Sequence, residues 1–221
     1  MHKKWTRLRI AAWLAMIIHL IAGLSMYFVL GHGLETNPDF ADRMKFITEH
    51  RTEWIGSWIP WNLAAFAILN FFAAFASAHS TDANRKLWLK IAVILAGIAV
   101  LFDLSAEGIE MFLMPRLAQG RLDESAQFLT VDRCAVLLTG CIANSLYTIA
   151  TAICSATTRT VYPLWISISG LAVVIAGTAI SLGAIVDSTP LLFWSNALMI
   201  PAIVSWQLGI AFAAPPAEIA D

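Results

Sequence analysis

The sequence predicts an all-α integral membrane protein built as a bundle of six transmembrane helices with both termini cytoplasmic. Three observations predict it. Hydrophobic residues make up 59% of the 221 positions and charged residues only 13%, against about 45–50% and 25% in soluble domains. Six apolar segments, about 10–30, 54–78, 87–113, 131–155, 163–186 and 191–214, each meet the roughly 20 residues that a bilayer core requires. These runs are unbroken, whereas barrel strands would alternate over about 10 residues. The connections are too short for a soluble domain, so residues 1–221 read as a single membrane domain.

Helix 1 follows Lys3, Lys4, Arg7 and Arg9. That start resembles a signal peptide, but the apolar run exceeds the ~7–15 residues of an h-region and no small-residue cleavage site closes it. His19 lies near mid-depth on a stripe with Ala12, Ala15, Gly23 and Met26. It reads either as a packing histidine or as a proton acceptor.

The connection 31–53 contains "TNPDFADRMKFITEH". Thr36 or Asn37 suits an N-cap, Pro38 the first turn, and Asp39 the positive helix end. Phe40, Met44, Ile47 and Arg51 would share one face. A short amphipathic helix on the outer surface is expected, with a plain connector as the alternative. His50 and Glu53 have a spacing that could hold a metal, but short matches of this kind arise by chance, and no metal is assigned.

Helix 2 opens with Glu53 and has Gly56, Ser57, Pro60 and Ala64 on its small face. Trp54 and Trp58 are expected as interfacial anchors. Trp61, deeper on the same face, could wall a ligand pocket.

Helix 3 carries "VLFDLSAEGIEMFLMP". At 100° per residue, Asp103, Glu107 and Glu110 fall within about 60° of one another. Ala92, Ala96 and Ala99 continue the stripe, and small residues line helix contacts in membranes. The acids are therefore expected to face the bundle. Each must pair, hydrate or carry a proton, and three so close are not expected to be ionised together. Asp103 should lie deepest and Glu110 nearest to water.

Helix 4 has a polar or small stripe, Arg133, Gly140, Asn144, Thr148, Thr151 and Ser155. Arg133 begins at the level of Glu107 and Glu110 and is their expected counter-ion. Cys134, Cys141 and Cys154 are on this helix as well. Neighbours in that series seven apart are ~10 Å apart along the axis, too far for a disulfide. They read as small buried residues, with a soft-metal site as the alternative. Helix 6 presents Asn196 and Gln207 on one face, with a kink expected at Pro201. Helices 1–3 and 4–6 share no polar pattern, which argues against an inverted-repeat transporter.

Basic residues set the orientation. Lys3, Lys4, Arg7, Arg9, Arg85, Lys86, Lys90 and Arg159 fall on one side, expected to be cytoplasmic. Arg43, Lys45, Arg51, Arg116 and Arg121 fall on the other, diluted by Glu35, Asp39, Asp42, Glu49, Asp123, Glu124 and Asp187. A bacterial cytoplasmic (inner) membrane is the expected location.

Several chemistries lack their residues. A di-iron oxygenase would need many histidines, and there are five. Bis-histidine haem needs two facing deep histidines, and only His19 is deep. No mid-membrane lysine is present for retinal, and no G-x-S-x-G, H-E-x-x-H or P-loop occurs. No cofactor is expected. With a formal net charge of −1 and no basic patch, nucleic acid is not an expected partner.

Two functional classes remain. One is an acid–base enzyme (isomerase, cyclase or hydrolase) acting on a lipophilic substrate such as a lipid or isoprenoid. Its catalytic residues would be Asp103 as acid, Glu107 as its partner and His19 as acceptor. Glu110, Arg133, Asn144, Trp61, Glu53 and Asn196 would line the substrate pocket. The other class is an ion- or proton-coupled carrier, or an accessory subunit of a membrane complex. Membrane lipids are the expected partners, and self-association is left open.

Overall fold

The computed structural model describes residues 2–120 and 125–213. Of the residues used above to orient the chain, Arg121, Asp123 and Glu124 lie outside the described residues, as does Ala214. The chain is 89% helix and has no strand among the described residues. In order, α1 spans His2–Phe28, α2 Phe40–Glu49, α3 Arg51–His79, α4 Ala83–Leu117, α5 Ala126–Thr158, α6 Leu164–Val186 and α7 Thr189–Phe212. All but α2 are long and apolar enough to cross a membrane.

Each long helix packs against the next, and α1 packs against α7, so the six close into a ring. Short connections favour such neighbours. Contact surfaces are made of small residues, which let backbones approach. A Cβ on Gly177 would collide with Thr148, and one on Gly209 would lie 2.7 Å from the Trp165 ring. The outward face is the reverse: Ile10, Leu14, Ile17, Ile21 and Leu24 of α1, and Leu171, Ile175, Leu182 and Ile185 of α6, are exposed. An apolar surface of this extent is what a membrane-like helical bundle presents.

One end of the ring is filled by Trp5, Leu8, Phe71, Phe72, Phe75, Trp206 and Ile210. There His79 Nδ1 donates to the Phe75 carbonyl at 2.9 Å, so its Nε2 accepts from the Tyr162 hydroxyl at 2.8 Å. The other end is filled by Leu30, Leu34, Met44, Ile47, Trp54, Trp58, Met114 and Phe128, with α2 supplying Met44 and Ile47.

Helix α2 starts later than Thr36 or Asn37 would start it. Its N-cap is Asp39, whose Oδ1 accepts from the Asp42 N–H at 3.1 Å, while Asn37 Oδ1 accepts from the Asp39 N–H. Arg51 does not share its face; it opens α3. Trp54 and Trp58 are not interfacial anchors. Both are buried in the bundle, edge to face at 5.7 Å, because the segment that includes α2 covers them and Trp54 Nε1 finds the Glu110 carbonyl at 2.8 Å. Helices α4 and α5 each pass through a π-wound turn, Ile109–Leu113 and Leu137–Ala143. A π turn holds one extra residue and changes which side chains share a face beyond it.

Candidate functional site

The acids of α4 face inward. Ala92, Ala96 and Ala99 are buried; Glu107 is 2% exposed, Glu110 is 3% exposed, and Asp103 is half-buried. Glu110 is more enclosed by the protein than Asp103. The cause is the cover over that end of the bundle, where the Trp54 indole donates to the Glu110 backbone and α2 closes the cluster.

The three carboxyls fall into two groups. Asp103 and Glu107 are electrostatic neighbours and face α5. Thr139 Oγ1 donates to Asp103 Oδ1 at 2.5 Å, and the Tyr147 hydroxyl donates to Oδ2 at 3.5 Å. Glu107 Oε2 is buried and has no hydrogen-bond partner. No basic side chain among the described residues pairs with either acid. Glu110 sits instead, in the π-wound turn, among Asp132, Glu35 and Arg43.

The counter-ion in this second group is Arg43, not Arg133. Arg43 Nη2 meets Asp132 Oδ1 at 2.6 Å, with both side chains under one-tenth exposed. Its Nε donates to the Gly33 carbonyl at 3.0 Å, and its guanidinium lies 5.7 Å from the centre of the Phe128 ring. Arg133 does not reach Glu107 or Glu110. It pairs with Asp187 at 3.1 Å and donates to the Ile185 carbonyl at the end of α6. Half-buried Glu35 has its carboxyl pushed above the ordinary value, first by burial and then by the Asp132 charge, with Arg43 opposing.

The remaining candidates disperse. The stripe through Arg133, Gly140 and Asn144 faces α6: Gly140 abuts Ala184, and Asn144 Nδ2 donates to the Gly177 carbonyl at 2.6 Å and to Ser181 at 2.8 Å. The residues of α5 that meet the acids are Thr139 and Tyr147, eight apart on a neighbouring face. His19 belongs to α1, which packs on α3 and α7. It donates from Nδ1 to the Ala15 carbonyl at 2.7 Å and lies 3.4 Å from Gln207, apart from the Asp103 group. Asn196 donates back to the Leu192 carbonyl of its own helix. Glu53 is exposed and pairs with His50 at 2.6 Å. Trp61 is half-buried against the cluster that includes Trp54, and its Nε1 has no partner. The three cysteines are free, and only Cys154 is buried. Among the described residues no group of three or more His, Cys, Asp or Glu side chains is placed to hold a metal ion.

Four residues that matter here did not stand out in the sequence. Thr139 and Tyr147 had a signal, two polar groups eight apart within an apolar run. Asp132 is adjacent to Arg133, whose charge dominates that stretch, and Arg43 is next to the apolar residue Met44. Chemically, the Asp103–Glu107 group offers a carboxyl fixed as an acceptor beside one with an uncommitted oxygen. The chain matches no family model, no curated protein and no solved structure.

Proposed function

We propose that the chain is a membrane enzyme that moves protons on and off a lipophilic substrate, with Glu107 and Asp103 as the working pair. One observation carries the reading: the buried Glu107 Oε2 has no partner while the neighbouring Asp103 is held at both oxygens. A buried polar group left unpaired costs about 1–3 kcal/mol, and ionisable groups inside a membrane are functional candidates. The assignment of roles reverses the one expected from depth. Two hydroxyls donate to Asp103, which suits a proton acceptor. Glu107 is the donor.

The step balances without an oxidant. The Glu107 proton adds to one carbon of a substrate double bond, and the adjoining carbon becomes cationic. Asp103 removes a proton from the next carbon, and the double bond re-forms one position along. Asp103 releases that proton to water and Glu107 takes one up from water, which resets the pair and lets solvent hydrogen enter the substrate. Thr139 and Tyr147 orient the acceptor.

In the same reading both termini face the cytoplasm of a bacterial inner membrane and the connection holding α2 lies outside. The support is the cluster of Lys3, Lys4, Arg7, Arg9, Arg85, Lys86 and Lys90 at one end. Single-cysteine labelling in a cysteine-free background should find positions 31–51 accessible from outside and 81–85 from inside; the reverse pattern overturns the orientation.

The test of the reaction uses deuterium. The purified chain in vesicles of total lipid extract, in D2O, should introduce deuterium at carbon into one lipid class. Asp103→Asn and Glu107→Gln should each abolish it. Incorporation that survives both substitutions, or none with the intact chain, refutes the proposal.

A further inference from the structure

We infer that Asp103, Glu107 and Thr139 form a binding site for a single hard monovalent cation of sodium size. Thr139 and Tyr147 meet Asp103 at 2.5 Å and 3.5 Å, and Glu107, one turn further along α4, is its electrostatic neighbour; all four offer oxygen alone. Asp103 offers a carboxylate, Thr139 and Tyr147 offer hydroxyls whose hydrogens point to Asp103, and Glu107 offers an oxygen. The hydroxyl hydrogens are committed, so the hydroxyl lone pairs remain for a cation.

The second and independent observation is the Glu107 Oε2 atom. It is fully enclosed, it has no hydrogen-bond partner, and its electrostatic neighbour is Asp103. An acid in an apolar helix carries a proton or meets a positive charge, so the ion takes the place of the Glu107 proton when it binds. Among the described residues no ion pair includes either acid; Arg43 is engaged with Asp132 and Arg133 with Asp187.

The donor set selects the ion. Oxygen ligands favour hard cations over zinc, iron or copper, which take nitrogen and sulfur. Calcium takes six to eight oxygens and magnesium a near-ideal octahedron with several waters, more than two carboxylates and two hydroxyls provide. Intramembrane sodium sites draw on irregular helix backbone beside side-chain oxygens. Here Thr139 sits in the π-wound turn Leu137–Ala143, which displaces carbonyls from the α-helical register. The inference rests on the reading of Asp103 and Glu107 as the working pair but not on the reaction, and binding is measured without turnover. Loss of deuterium exchange with cation binding intact defeats the reaction alone.

The experiment uses the full chain purified in sodium-free buffer with choline chloride. Thermal unfolding is followed as NaCl replaces choline chloride at constant ionic strength, with parallel CaCl2 and MgCl2 series. Sodium should raise the unfolding temperature saturably. Glu107→Gln and Asp103→Asn should weaken the apparent affinity about tenfold or more. Thr139→Val should weaken it, and Thr139→Ser, which keeps the hydroxyl, should restore it. Exposed Glu49→Gln should leave it unchanged. If a carboxyl variant does not fold, sodium-23 line broadening by the intact chain, compared with Thr139→Val, decides the matter. No rise as sodium replaces choline, a response to divalent ions alone, or an undiminished sodium response in both carboxyl variants overturns the inference.

Discussion

Arg43→Met should be the most destabilising single substitution at the α2 end of the bundle. The guanidinium makes a 2.6 Å contact with Asp132, donates to the Gly33 carbonyl at 3.0 Å and lies over Phe128. Methionine keeps most of the volume and removes all three interactions. Asp132 is then left buried without its partner, and breaking a buried pair in this way costs about 3–5 kcal/mol. The Gly33 carbonyl also loses its donor, a hydrogen bond to a charged group worth about 1.5–3 kcal/mol, part of which is already inside the first figure. At 1.4 kcal/mol per tenfold, a loss of about 3–5 kcal/mol is two to three and a half decades in the folding equilibrium. Reversible unfolding in mixed micelles measures it. Adding Asp132→Asn removes the stranded charge, so the double variant should recover part of the loss and the two changes should be non-additive. A cost under about 1 kcal/mol, the range of exposed pairs, or strict additivity would refute the buried-pair account.

Gly177→Ala should destabilise by about 1–3 kcal/mol, because the new methyl group meets Thr148; Thr148→Ala should recover most of it, and no recovery would place the strain elsewhere. Glu35 should make stability fall as pH rises. Its carboxyl titrates above its ordinary value in the fold, so the native state holds the proton more tightly. The resulting stability is full below the unfolded value of about 4.3 and is lost as pH rises through the folded one. Glu35→Gln should flatten the profile over that window, and an unchanged slope refutes the assignment. Trp54→Phe should lower stability by about 1–3 kcal/mol through the Glu110 carbonyl it leaves unpaired, and an unfolding midpoint equal to that of the parent chain would show that the bond contributes nothing.

The alanine stripe made the direction of the acids legible, since a helix period of 3.6 places Ala92, Ala96 and Ala99 beneath Asp103 and small residues belong in contacts. The partners of the acids were not legible. Periodicity sorts residues by face within one regular helix, and the π-wound turns at Ile109–Leu113 and Leu137–Ala143 break that regularity beside the acids and their partners. The stripe of Arg133 and Asn144 was a real stripe, but it faces α6; the one beside it, through Thr139 and Tyr147, meets α4. The burial of Trp54 and Trp58 depended on a segment far from the span that carries them in hydropathy.

By itself the sequence determined the all-helical class and the six apolar helices long enough to cross a membrane, because the length and hydropathy of a run are properties of the run alone. It also determined that the acid stripe turns inward. Only the tertiary structure decided that Glu107 and Asp103 stand together with no basic side chain paired to them among the described residues, while Arg43 and Asp132 form the buried pair under α2. Choice of partner depends on the rotation and depth of helices relative to each other. Those are set by contacts such as Gly177 on Thr148 and Gly140 on Ala184, between residues far apart in the chain.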